Sequence, residues 1–240
     1  MQLNDDLSIL PLSIVRDGQT FSYNVSLILD PVHGPALVDA GLPGQLDQIA
    51  AGLAESGVAV ADLKRVILTH QDIDHVGSLR DVVQASGARV LAHEVEAPFI
   101  DGSDVPRFKR PAVLESRPEM RPIVERILPT PVDERVQDGS RLDLAGGVRV
   151  VFTPGHTVGH MCLYLERTRT VIAGDALIAS EGRLAGPSAT ATDDMETAAR
   201  SVRKLAELDV DAIVCYHGGV VSDDANGQLR RVVEELDGAG

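Results

Sequence analysis

The chain contains no tryptophan, and aromatic residues make up 3% of its 240 positions. Platforms on which nucleobases or sugar rings stack are therefore hard to build. Basic residues are also in deficit: 22 Lys and Arg face 36 Asp and Glu, a formal net charge of −14. So acidic a chain repels phosphate backbones and anionic bilayers, which argues against nucleic acid and membrane as partners. Two cysteines cannot make a disulfide framework. Cys162 and Cys215 lie in apolar, strand-like runs and read as buried small hydrophobes of a reducing compartment. No apolar run approaches the roughly 18 residues that a membrane-spanning helix needs. The first ten residues carry Asp5 and Asp6 and no basic region, so no secretory signal is expected and a cytoplasmic location is. A Gly-x-Ser-x-Gly elbow and a P-loop are missing too, which withdraws support from serine hydrolases and nucleoside triphosphatases.

What remains is a composition near the globular average, 44% hydrophobic and 24% charged, in a chain long enough to bury a sizeable core. Branched apolar runs predict strands at Ile9–Val15, Val25–Leu29, Ala36–Val38, Arg65–Thr69 and Arg89–Ala92. Further strands are predicted at Arg141–Leu144, Val148–Thr153, Cys162–Leu165, Thr170–Ala173 and Ala212–Tyr216. Helical spacing of apolar residues predicts helices over Gln45–Glu55 and His75–Ala85, after Asp193, and around Leu229–Leu236. The third of these is given a cap by Asp193 with Glu196 three residues on. Between 98 and 131 lie seven prolines and the basic cluster Arg107-Phe108-Lys109-Arg110. That stretch reads as an irregular lid with one short helix near Glu119–Ile127. Its basic cluster is either a solvated face or a contact for a substrate carboxylate. No linker divides the chain, so one domain spanning 1–240 is expected, with the lid inserted in it.

Chemistry is concentrated where apolar strands end. Val66-Ile67-Leu68 runs into Thr69-His70-Gln71-Asp72-Ile73-Asp74-His75, four potential ligands within six residues. In extended chain His70, Asp72 and Asp74 project to one side, while His75 points elsewhere or the chain turns. His156 in Pro154-Gly155-His156-Thr157, Asp175 after Ala173-Gly174, and His217 after Cys215-Tyr216 each follow an apolar strand as well. Imidazole and carboxylate together suit zinc, iron or manganese. His160 and Asp39 are candidates for supporting these ligands rather than binding metal themselves. His33 and His93 read as ordinary turn or core residues.

The pattern resembles the metallo-β-lactamase superfamily, whose signature is His-x-His-x-Asp-His followed by distant His, Asp and His. The resemblance extends from Val25 to His217. It implies an α/β fold, a four-layer αββα sandwich of two mixed β-sheets. It implies two divalent metal ions, one held by His70, residue 72 and His156, the other by Asp74, His75 and His217, with Asp175 bridging. It also implies a hydrolase that uses a metal-activated water, with Asp74 doubling as a catalytic proton carrier. The signature's second histidine is Asp72 in this chain. A third carboxylate favours harder ions, manganese or iron, relative to zinc. The expected substrate is a small ester, lactone or thioester. The alternatives are an iron-dependent dioxygenase of the persulfide type and a non-catalytic, metal-holding regulatory protein. The resemblance allows a homodimer, although no residue in the sequence specifies one.

Overall fold

The structure, a computed structural model, describes residues 1–238. It divides into two compact units: Met1–Leu12 with Val25–Val136, and Ser13–Asn24 with the chain from Gln137 onward.

In the first unit, β1 (Gln2–Asn4), β2 (Leu7–Arg16), β3 (Gln19–Ile28), β4 (Ala36–Val38), β5 (Arg65–Leu68), β6 (Arg89–His93) and β7 (Glu134–Val136) lie in that order in one sheet. The tip of the β2–β3 hairpin belongs to the second unit. From β4 to β7 the strands are parallel, pairing Leu37 with Val66, Val66 with Val90 and Leu91 with Glu134. Parallel neighbours need long crossovers. Helix α1 (Leu46–Glu55) supplies the first, and α2 (Ile73–Val76) with α3 (Leu79–Ser86) the second. The third contains α4 (Ala97–Asp101), α5 (Pro111–Ser116) and α6 (Arg121–Val124). Strands β4 and β5 are buried along nearly their whole length, as expected of strands covered on both faces.

Two expectations change here. The helix predicted over His75–Ala85 is broken at Gly77-Ser78. The Gly77 and Ser78 amides donate to the Gly41 and Ala40 carbonyls, and Ser78 Oγ donates to the Leu42 carbonyl at 2.6 Å. The backbone of Leu42-Pro43 passes so close that a Cβ on Gly77 would lie 2.4 Å from it. The 98–131 stretch is also more helical than predicted. Pro98, Pro111, Pro118 and Pro122 occupy first turns of short helices, where a missing amide proton costs nothing. These prolines begin helices instead of marking loop.

In the second unit, β8 (Arg141–Leu142), β9 (Val148–Phe152), β10 (Met161–Leu165) and β11 (Thr170–Gly174) are followed by the ribbon β12 (Ile178–Ser180) and β13 (Arg183–Ala185). Then come α7 (Met195–Ala206), β14 (Ala212–Cys215), β15 (Gly219–Val221) and α8 (Ala225–Gly238). The six-stranded sheet runs β15-β14-β11-β10-β9-β8, with β11 and β14 parallel. Its apolar residues, among them Cys162, Tyr164 and Ile213, pack with Val202 and Leu205 of α7 and Leu229 and Val232 of α8. The cap of α7 is Asp194, which accepts from the Thr197 amide, rather than the predicted Asp193. Asp193 instead donates its amide to the His156 carbonyl and so lies outside the helix. Among the described residues no helix is long and apolar enough to cross a membrane.

Cys162 and Cys215 are buried and unbridged, and burial pushes the Cys162 thiol up to about 12. Neither thiol should react with an aromatic disulfide reagent at pH 8 in native protein, and both should react after denaturation. Replacing Gly77 by Ala should destabilise the fold by about 2 kcal/mol through overpacking; urea unfolding reads this directly.

Candidate metal centre

In the first unit, every candidate ligand follows the carboxyl end of a parallel strand, the usual place for a site in such sheets. Asp39, just past β4, takes a left-handed φ of 66° that turns its carboxylate back across β5. That carboxylate accepts from the Thr69 amide at 2.9 Å and from Thr69 Oγ1 at 2.9 and 3.0 Å. It also lies 2.9 Å from His75 Nδ1. A carboxylate only accepts, so Thr69 Oγ1–H and His75 Nδ1–H are the donors. Thr69 Oγ1 is then left to accept from His70 Nδ1, 3.0 Å away. Both imidazoles are thereby fixed with the Nε2 lone pair available as a ligand. Their rings are fully buried with centroids 3.9 Å apart. His70 Nε2 is 3.4 Å from Asp72 Oδ2, and His75 Nε2 is 4.0 Å from Asp74 Oδ2.

Asp72 has a further partner. Arg107, in a 3-10 turn over Arg107–Lys109, donates Nε to Asp72 Oδ1 at 2.5 Å and Nη2 to Asp72 Oδ2. Its amide donates to Gln71 Oε1, and the Gln71 amide donates to Glu96 Oε1, both at 2.8 Å. Nearby, Val76, Leu79, Phe99, Phe108, Ile127 and Leu128 help line a cavity of about 190 Å³. Lys109 also borders it; its ammonium donates to the Ile127 carbonyl, and burial lowers its pKa.

In the second unit, the β9–β10 connection carries His156 and His160. Gly155 has φ 130°, and a Cβ there would lie 2.3 Å from the Ala198 amide nitrogen, so the start of α7 sits directly on this loop. His156 Nδ1 lies 3.3 Å from Thr192 Oγ1, and its Nε2 is 3.5 Å from Asp175 Oδ2. His217 Nε2 is likewise 3.5 Å from Asp175 Oδ2. His160 Nε2 accepts the Asp175 amide proton at 3.1 Å, so its Nδ1–H donates to Thr153 Oγ1 at 2.9 Å. His160 thus anchors the backbone that presents Asp175. The end of β14 is held from the hairpin tip: Tyr23 stacks on Tyr216, and Asn24 donates to the Cys215 and Tyr216 carbonyls.

Four imidazole Nε2 atoms therefore each face a carboxylate oxygen within 4.0 Å. Deprotonated oxygen and nitrogen donors converging at this spacing are what a divalent cation requires, and the donor set fits one. The first unit offers His70, Asp72, Asp74 and His75 as donors, and the second His156, Asp175 and His217. Of the remaining histidines, His33 pairs with Asp30, and His93 ends β6, where its Nδ1 accepts the Val95 amide. Sequence reasoning did not single out Thr69, Thr153, Thr192, Asn24 or the intramolecular role of Arg107. Of these, only Thr69 and Thr153, directly after β5 and β9, offered a signal, through adjacency to His70 and Pro154.

Comparison with known proteins bears on this arrangement. The family model of the metallo-beta-lactamase superfamily matches residues 18–217. The chain is 30% identical over 239 residues to the "Probable metallo-hydrolase YflN" of Bacillus subtilis, covering 87% of this chain and 90% of that one. It is 28% identical to the hydroxyacylglutathione hydrolase GloC of Haemophilus influenzae, covering 81% and 84%. A metallo-beta-lactamase family protein of Thermus thermophilus has a solved structure that matches with a TM-score of 0.74 and 28% identity, covering 99% of this chain and 80% of that one.

Replacing Asp39 by Ala frees both imidazoles to rotate and to change tautomer. Affinity for zinc should fall about 10- to 100-fold, as it does when such supporting carboxylates are removed; chelator-competition titration measures it.

Proposed function

Since the chain belongs to the metallo-β-lactamase superfamily and is a metallo-hydrolase by its relatives, we propose that it hydrolyses a small ester, lactone or thioester. The observation that carries this reading is the set of imidazole Nε2 atoms facing carboxylates, each imidazole held by its own hydrogen bonds. In this reading His70, His156, Asp175, Asp74, His75 and His217 would hold the divalent ions.

When bound, such ions lower the pKa of a water and polarise a carbonyl oxygen. The chain's own residues do the rest. Asp39 and Thr69 keep His70 and His75 in the ligating tautomer, and His160 holds the Asp175 backbone. Asp74, about a quarter exposed, orients the attacking water and carries its proton to the departing oxygen or sulfur. Water adds to the carbonyl carbon, the C–O or C–S bond breaks, and an acid and an alcohol or thiol leave. No side chain acts as nucleophile.

Three features support the substrate class. The cavity of about 190 Å³ lies below the usual range for drug-sized ligands and suits a short acyl or alkyl group. Its wall residue Val76 directly follows His75, and Val105, Pro106 and Phe108 of the 98–131 segment also line it, which supports reading that segment as a lid. A net charge of −14 opposes polyanionic substrates. Hydroxyacylglutathione, named for one relative, is a thioester. The two unbridged cysteines support placing this small-molecule enzyme in the reducing cytoplasm.

A panel of short-chain thioesters, lactones and aryl esters, with metal-loaded protein, tests the proposal. Activity should vanish on chelation and return with zinc or manganese. His70→Ala and Asp175→Ala should each lower kcat/KM by about 100-fold or more. Inactivity on all three classes with two ions bound sinks it. Two histidines and one carboxylate around a single ion would also make the facial triad of iron oxygenases. Oxygen uptake by iron-loaded protein with a persulfide would move the reading there.

A further inference from the structure

Asp72 stands where the superfamily signature has a neutral histidine, and a third carboxylate would change the charge of the centre. With one hydroxide, two divalent ions against two carboxylates leave a net charge of +1, whereas three carboxylates cancel it. The structure shows what meets that third carboxylate. Arg107 grips both Asp72 oxygens in a fork-to-fork pair. The pair is largely shielded, with 14% of the Asp72 side chain and 16% of the Arg107 side chain exposed. Shielded in this way, the guanidinium has strong reason to keep its partner, because separating such a pair strands a charge. Arg107 is also held independently of that pair. Its amide is bonded to buried Gln71, which is bonded in turn to buried Glu96 at the start of α4.

Resting on the two-ion reading above, we infer that Asp72 is the acceptor for Arg107 rather than a metal ligand. The Asp72–Arg107 pair is a neutral stand-in for the missing histidine. It restores the charge of the two-carboxylate centre, and it ties the 98–131 lid to the loop that carries His70. The ion at His70 then has three protein ligands, which leaves a further position open to water or substrate. The preference for harder ions expected from three carboxylates holds only if Asp72 is released. Arg107 is thus a positioning residue, and the carboxylate it meets is the chain's own, not a substrate's.

The test is metal content and competition with a chromophoric chelator, on full-length wild type, Asp72→Asn, Arg107→Met, Arg107→Lys and His70→Ala. Asp72→Asn should still bind two ions, weakened by no more than about tenfold by the stranded guanidinium, whereas His70→Ala loses one or weakens it by about 100-fold. Arg107→Met should raise manganese affinity relative to zinc by about tenfold, because it releases a hard oxygen ligand. Arg107→Lys should restore most of the wild-type ratio. Loss of an ion in Asp72→Asn, or an unchanged manganese-to-zinc ratio in Arg107→Met, overturns the inference. Hydrogen exchange on metal-free protein supplies a readout without metal. Asp72→Asn and Arg107→Met should accelerate exchange of the amides around 105–117 alike, and protection unchanged in both overturns the tie. If wild type takes up no ion, the hydrolase reading and the metal part of this inference both fail, and the tie is decided by exchange alone.

Discussion

The carboxylate of Asp39 is the fixed point of the first unit's ligand loop. It accepts three hydrogen bonds from Thr69 and His75 while almost fully buried, which a lone buried charge could not sustain. Those bonds run onward through Thr69 Oγ1 to His70, so one side chain sets the tautomer of two imidazoles. The left-handed backbone at Asp39 is a local strain, and the hydrogen bonds it permits are its compensation. Such a site is organised before any cation arrives, because the protons have already been placed on the far side of each ring.

The second unit reaches a similar end by a different route. There the ligand loops are fixed by backbone proximity more than by a buried charge. Gly155 lets the first turn of α7 sit on the His156 loop. Gly218, with φ 95°, lets the β12 backbone come so close that a Cβ would lie 1.5 Å from the Ala179 carbonyl oxygen. His160 spends both ring nitrogens on Thr153 and the Asp175 amide, and Thr153 continues to Cys162, whose thiol donates to the Ala173 carbonyl. The cysteine is thereby a hydrogen-bonded spacer beneath Asp175, with its proton retained by burial.

Much of this could be read from the chain alone, for identifiable reasons. Ligand-bearing loops follow runs such as Val66-Ile67-Leu68 and Ala212–Cys215, and buried strands announce themselves by unbroken apolar sequence. The α/β fold class and the superfamily were legible in the spacing of His70, Asp74, His75, His156, Asp175 and His217. The break between α2 and α3 was hidden because the obstructing backbone, Leu42-Pro43, lies more than thirty residues away in sequence. Arg107 reads as one member of a basic cluster until its distant partner Asp72 is known. The prolines of 98–131 misled because the same residue serves loops and first helical turns, and only the backbone that follows distinguishes the two.

The third crossover connects two parallel strands whose register is fixed by Leu91 with Glu134 and by His93 with Val136. Closing such a connection costs only slightly more chain entropy as it lengthens. Residues 94–133 can therefore gain or lose turns over generations without disturbing the sheet or the loops that carry His70 and His75. The wall of the cavity can be rewritten on its own, and descendants of one scaffold can diverge in what they accept while keeping the same chemistry. Arg107 sets the limit on that freedom: any rewritten segment has to bring a cation back to Asp72, or Asp72 has to change with it.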